Sequence, residues 1–266
     1  MASIIALIRH DSNDADIDLS VMNCISVVVT CFPRDAPVFL QAALAQLTQA
    51  ILEKSGRIHV RLSFLSVLAR VFATAPDALI ALLGPLAQKI VSAQQGTDHK
   101  TVTASLFDKI VDEWLDGCDL IGNHRRMPLR QKEWALALCR VLGTNHESVV
   151  DKIPLILNSV SSIMMNQQGR ELSNVQLQQY LVEREPGHHR TSVAVQPPPK
   201  PDCAEAQRWT AVLSRDFVYQ SSILTELRKG IQQCVQNFGK PRIDAVLATV
   251  DSSTLSIIRG EASAPQ

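Results

Sequence analysis

The stretch FDKIVDEWLDGCDLIGNHRRMPLRQKEWALALCRVL, residues 107–142, carries the pattern that decides the fold. Its first part belongs to a helix over Thr101–Ile121, with Leu106, Ile110, Trp114 and Cys118 recurring on one face. The polar loop Gly122–Arg126 interrupts that rhythm. Pro128–Leu142 then resumes it with Leu129, Trp134, Leu138 and Val141. Two amphipathic helices joined by a short loop cannot bury their apolar faces alone, so such a unit must stack on neighbours.

Neighbours of the same kind extend in both directions. Upstream, Asp18–Phe32 is apolar at Leu19, Met22, Ile25, Val28 and Val29, and Pro33 stops it. Asp35 and Pro37 supply a cap and a first-turn proline for a helix to about Leu52. Arg57–Ala73 is amphipathic through Ile58, Leu62, Leu65, Ala69 and Phe72. Pro76–Gln95 follows, with a kink or break expected at Pro85. Downstream, Asn145 caps a helix over His146–Met165. First helices of successive pairs thus start near 18, 57, 100 and 145, in steps of about 39, 43 and 45 residues, the ~40–47 residue period of HEAT and armadillo pairs. The expected fold is all-α, a HEAT-like α-solenoid forming a right-handed superhelix of antiparallel helix pairs.

The expected organisation is HEAT-like repeats over 1–182, a Pro-rich flexible linker over 183–203, a carboxy-terminal helical unit over 204–258 and a polar tail over 259–266. In the linker, PPPKP should be locally extended as polyproline II. In the helical unit, Glu205–Phe238 breaks near Ser221–Ser222, Gly239 and Pro241 end it, and Ile243–Val250 adds a short helix. A stack whose first unit lacks a polar cap is least stable there, so residues 1–60 are expected to be the weaker end.

Composition agrees with helices. Aromatic residues make up only 5 % of the 266, and 11 glycines leave little material for phosphate loops or chains of tight hairpins. Lys and Arg total 26 and Asp and Glu total 26, which removes the basic excess of a nucleic-acid binder. No stretch of 18 or more uncharged apolar residues suggests membrane insertion. Six cysteines without CxxC pairing read as small hydrophobes in a reducing compartment. Cys24 and Cys31, about 10 Å apart on one helix face, lie beyond disulfide reach. No G-x-S-x-G, P-loop, H-E-x-x-H or G-x-G-x-x-G occurs. The adjacent pair His188 and His189 lies in the linker, where no rigid frame converges further ligands. No catalytic residue, cofactor site or metal site is expected, and the chain reads as a binding protein rather than an enzyme.

Charge supplies the binding candidates. Asp108, Asp112, Asp116 and Asp119 follow at spacings of four, four and three, which puts them on one helix face. Such a face is either simply solvated or an acidic surface for a basic partner segment. Directly after it come His124, Arg125, Arg126, Arg130 and Lys132, a basic cluster that would suit an acidic protein surface. Arg125 and Arg126 are its candidate contacts.

The same stretch resembles the carboxy-terminal HEAT repeats of the importin-β (karyopherin-β) nuclear transport receptors, nearest the importin-eleven type. There a helix ends in a Trp-containing acidic turn, a basic loop follows, and the next helix reads K-x-x-A-L-A-L. Trp114, Asp119, Arg125, Arg126, Lys132, Ala135, Leu136, Ala137, Leu138 and Leu142 fill that pattern. Arg208, Asp216 and Val218, then Leu224–Phe238 and Leu247–Asp251, are similar to the family's terminal segment, with Phe217 where proline is usual. The resemblance implies a receptor that carries protein cargo through nuclear pores under control of the Ran GTPase. Its expected partners are cargo, nuclear pore proteins and Ran, the last gripped mainly by amino-terminal repeats missing from this chain. Its expected location is nucleus and cytoplasm, including the nuclear envelope and pore. A generic HEAT scaffold subunit of an intracellular complex is the alternative reading.

Overall fold

The computed structural model describes residues 15–54, 58–93, 98–122, 128–167 and 204–259. Among them are thirteen α-helices and no strand. In chain order these are α1 (Ala15–Cys31), α2 (Ala36–Phe39), α3 (Gln41–Leu52), α4 (Ile58–Thr74), α5 (Pro76–Ala93), α6 (His99–Gly122) and α7 (Pro128–Leu142). They continue with α8 (Glu147–Gln167), α9 (Ala204–Leu213), α10 (Phe217–Gln220), α11 (Ile223–Phe238), α12 (Lys240–Leu247) and α13 (Ser252–Arg259).

Packing arranges the long helices in two rows. One row runs α1, α4, α7, α11, each helix against the next. The other runs α3, α5, α6, α8, with α12 and α13 closing it against α8. The chain is therefore an all-α repeat solenoid. Its helices start at Ala15, Ile58, His99 and Glu147, close to the expected spacing, but α6 and α8, both expected as first helices, lie in the row of second ones, and α7 stands among the first. A local contact accompanies this exchange. His99 at the start of α6 donates from Nε2 to the Gly84 carbonyl at 3.1 Å, which tethers the head of α6 to α5.

Some boundaries differ from the sequence expectation. The helix expected to run to Leu52 from a cap at Asp35 is two helices, and Asp35 makes no side-chain cap bond. Between them Leu40 turns its backbone to φ −99° and ψ 10° while its side chain stays buried. Pro85 does not break α5: it is exposed, so its ring and missing N–H face water. The carboxy-terminal helix divides at Asp216 and again at Ser222, whose side chains accept from the N–H groups of Val218 and Thr225. Gly239 ends α11 at φ +85°, a region that favours glycine, and Pro241 then starts α12. Helix α13 was not anticipated. The linker, PPPKP, His188, His189 and Cys203 lie outside the described residues.

A continuous apolar core runs between the rows, with Leu44, Leu68, Phe72, Trp114, Trp134, Leu138, Ile156 and Leu227 shielded from solvent. Glu147–Asn166 is long and apolar enough to cross a membrane, although Glu147, Asp151 and Lys152 interrupt its apolar run. In this fold Val149, Ile153, Ile156, Val160 and Ile163 of that helix are buried against protein. Helix α11 approaches α7 most closely at Gly230, where a Cβ would lie 2.4 Å from the Cys139 carbonyl oxygen and 3.1 Å from Leu142 Cβ. Gly230→Ala must push backbone from backbone, and the expected loss is about 1–3 kcal/mol. A urea titration showing wild-type stability would contradict that packing.

The two ends of the stack differ. At the far end Arg228 donates to the Ile258 and Arg259 carbonyls and so caps α13. At the α1–α2 end Phe32, Val38 and Phe39 are 58 %, 73 % and 64 % exposed. Cys24 is exposed and Cys31 half-buried, so neither is the buried hydrophobe expected from the sequence. Because these described side chains are open to solvent, amide exchange in α1–α3 should be faster than in α4, α7 and α11. Equal protection along the chain would refute that gradient.

Candidate partner-binding face

Helix α6 places Asp108, Asp112 and Asp116 on the side away from its apolar stripe, as the spacing requires. Asp112 and Asp116 are exposed and Asp108 is half-buried. Nothing is described of the Asp119 side chain, and Arg125 and Arg126 lie outside the described residues. The face is not occupied by acids alone. Lys152, from α8, sits 3.0 Å from Asp108 Oδ1 and also pairs with Asp112. Burial works against the charge on Lys152, but its hydrogen bonds to Asp112 and Asp108 outweigh that and hold its pKa above the ordinary lysine value. Glu113, half-buried on the neighbouring side of α6, pairs with Lys54 at 3.2 Å and with Arg61. The acidic helix is thus stapled to the turn after α3, to α4 and to α8, which leaves Asp116 and the outer side of Asp112 facing solvent.

A second charged cluster lies wholly inside the stack. Arg70, one turn before the end of α4, is 2 % exposed. Its Nε donates to Glu133 Oε1 of α7 at 2.9 Å, while Nη1 and Nη2 donate in a fork to Asp216, with Nη2 to Oδ2 at 2.9 Å. Asp216 is also the cap of α10 and accepts from Val218 N–H at 3.0 Å. Beside them Lys132 Nζ donates to the Tyr219 carbonyl at 2.9 Å. One guanidinium therefore joins α4, α7 and the carboxy-terminal unit across 146 residues of sequence. The geometry is that of a structural clamp, with Arg70, Glu133 and Asp216 all shielded from solvent.

Burial raises the Glu133 carboxyl above its ordinary value, opposed by Arg70 and Arg130, and raises Asp216 likewise against Arg70. A carboxyl that holds its proton more tightly in the folded chain binds more protons there than when unfolded. Stability then falls as pH rises from about 4, the ordinary carboxyl value, through the raised folded pKa. Glu133→Gln should flatten that decline, as read from urea midpoints across the same range. An unchanged slope would show that Glu133 titrates normally.

A cleft of about 680 Å³ opens between the start of α5, the α7–α8 turn and α11. Its charges are already satisfied in part: Glu226, buried, pairs with Arg140 at 3.4 Å and Lys229 at 2.6 Å, and Arg140 lies over the Phe217 ring. His146 at its edge packs on Phe107, and burial lowers its pKa. Among the described residues no group of three or more His, Cys, Asp or Glu could hold a metal ion.

Sequence reasoning located the α6 acids but not their cation or the clamp. Both left a trace. Arg70 is a charge inside the apolar run SVLARVFA, and Lys152 is the one Lys or Arg of α8. What could not be read was the partner of each, which depends on how rows of helices align.

A family model described as "Importin-11-like, TPR repeats" matches residues 1–263. No curated protein and no solved structure matches the chain.

Proposed function

Because the chain belongs to the importin-11-like family, we propose that it is part of a nuclear transport receptor that binds protein cargo for Ran-dependent passage through nuclear pores. The family match over nearly the whole chain carries this reading, and the family is one of transport receptors rather than enzymes. The mechanism is binding and release. Stacked helix pairs touch mainly their neighbours, so small rotations between them sum to a change of curvature that can admit or expel a partner. The protein would work in both nucleus and cytoplasm and meet pore proteins on the way.

The contact we assign to cargo is the acidic side of α6. Asp108, Asp112 and Asp116, with Asp119 one turn on, provide a negative potential that draws in and orients a basic segment. Arg125 and Arg126, next along the chain, would take an acidic part of the same partner. Pull-down of GTP-loaded Ran and pore proteins with the native protein tests the receptor reading. Retention of the pore proteins is expected, and of Ran where the amino-terminal repeats that mainly grip it are present. Retention of neither, with stable assembly into another intracellular complex, would replace it with a scaffold role.

A further inference from the structure

Eight large apolar side chains are exposed among the described residues, and three of them share one surface with the α6 acids. Leu120 on α6 is 44 % exposed, and Leu155 and Met165 on α8 are 58 % and 38 % exposed. Two contacts set the direction of these helices. His146, at the head of α8, packs on Phe107, and Lys152 pairs with Asp108 and Asp112, so α8 advances along α6 in the same sense. On α6 the solvent stripe reads Asp112, Asp116, Leu120, each one turn beyond the last. On α8 it reads Asp151, Leu155, Asn158, Ser162, Met165. Both stripes are acidic first and apolar after, and the Lys152 seam lies between them.

We infer that this paired stripe docks an amphipathic segment of a partner protein, whose basic end lies over Asp112, Asp116 and Asp151 and whose apolar residues cover Leu120, Leu155 and Met165. The inference rests on the cargo reading of the α6 face and names the second half of its chemistry. Charge selects the occupant: among the described residues the acids of the stripe outnumber the exposed cation beside them, Lys109, so the complement is basic. A second copy of this chain fits poorly, because an isologous contact would bring aspartates to a surface that is itself acidic. The apolar end supplies what charge alone lacks, a contact that survives salt.

Two synthetic peptides test this by fluorescence anisotropy against the full chain: a lysine-rich peptide, and the same peptide extended by a helical turn bearing Leu and Met. The extended peptide should bind about tenfold more tightly, and Leu155→Ser should erase that gain while leaving the lysine-only peptide unaffected. Leu155 is exposed, so the variant keeps its fold, which a wild-type thermal transition confirms. If Leu155→Ser binds both peptides as the wild type does, the apolar half is wrong and the acidic reading stands. If neither peptide binds the wild type, the cargo assignment of this face falls too. If Leu155→Ser instead turns a dimer into a monomer in sedimentation, the stripe is a self-contact and the inference is overturned.

Discussion

Replacing Arg70 by Met should cost about 3–5 kcal/mol of stability at neutral pH, because it leaves two buried carboxylates without their shared cation. The side chain is 2 % exposed and makes four hydrogen bonds, to Glu133 and to both oxygens of Asp216. The deficit should shrink as pH falls toward 4, where the orphaned carboxyls take up protons and need no partner. It should also shrink when the carboxylates go together with the arginine. Arg70→Met with Glu133→Leu and Asp216→Asn removes the charges while Asn keeps the cap on α10, and that variant is expected to recover most of the loss. Urea unfolding of the single and triple variants at two pH values measures all of this. A single variant as stable as the wild type would mean that the clamp does not hold the carboxy-terminal unit.

The second large effect is expected at Trp134. Its ring is fully buried, its Nε1 donates to Ser66 Oγ at 2.9 Å, and Gly117 of α6 lies so close that a Cβ there would fall 2.6 Å from the ring. Trp134→Ala should cost about 3–5 kcal/mol through lost burial and the cavity left behind. Gly117→Ala should cost about 1–3 kcal/mol in the wild type by overpacking the same spot. The two losses should not add. With the indole gone, the extra methyl meets only the flexible end of Leu62, 3.3 Å away, so the double variant is expected to be little worse than Trp134→Ala alone. Additive losses would show that glycine is required at 117 for some reason other than the tryptophan.

Those two sites explain what was legible in the sequence and what was not. Trp134 stands on an apolar stripe with Leu138 and Val141, and periodicity alone places it in the core. The same reasoning placed α4, α6, α7 and α8 within a few residues of their observed ends. Helix propensity and apolar period are local properties, so a single sequence states them. Arg70 shows the limit. Nothing within a turn of it announces Glu133 or Asp216, which meet it only because α7 stacks on α4 and the carboxy-terminal unit returns over both. The placing of α6 and α8 in the row of second helices, with α7 among the first, is non-local in the same way, since loop length permits either row. The α6 acids were legible as a face, whereas Lys152, which neutralises part of it, belongs to a helix some 40 residues on. The resemblance in residues 107–142 indicated the importin-type family that the match over residues 1–263 establishes.

The central claim, that the solvent face of α6 receives a basic partner, is tested most directly by titrating the lysine-rich peptide into the wild type and into Asp112→Lys/Asp116→Lys. Both residues are exposed, so the reversal leaves the core untouched. The wild type should bind with an affinity that falls steadily as salt is raised, and the reversed chain should bind at least about tenfold more weakly at low salt. Equal affinity of the two proteins at every salt concentration would contradict the claim.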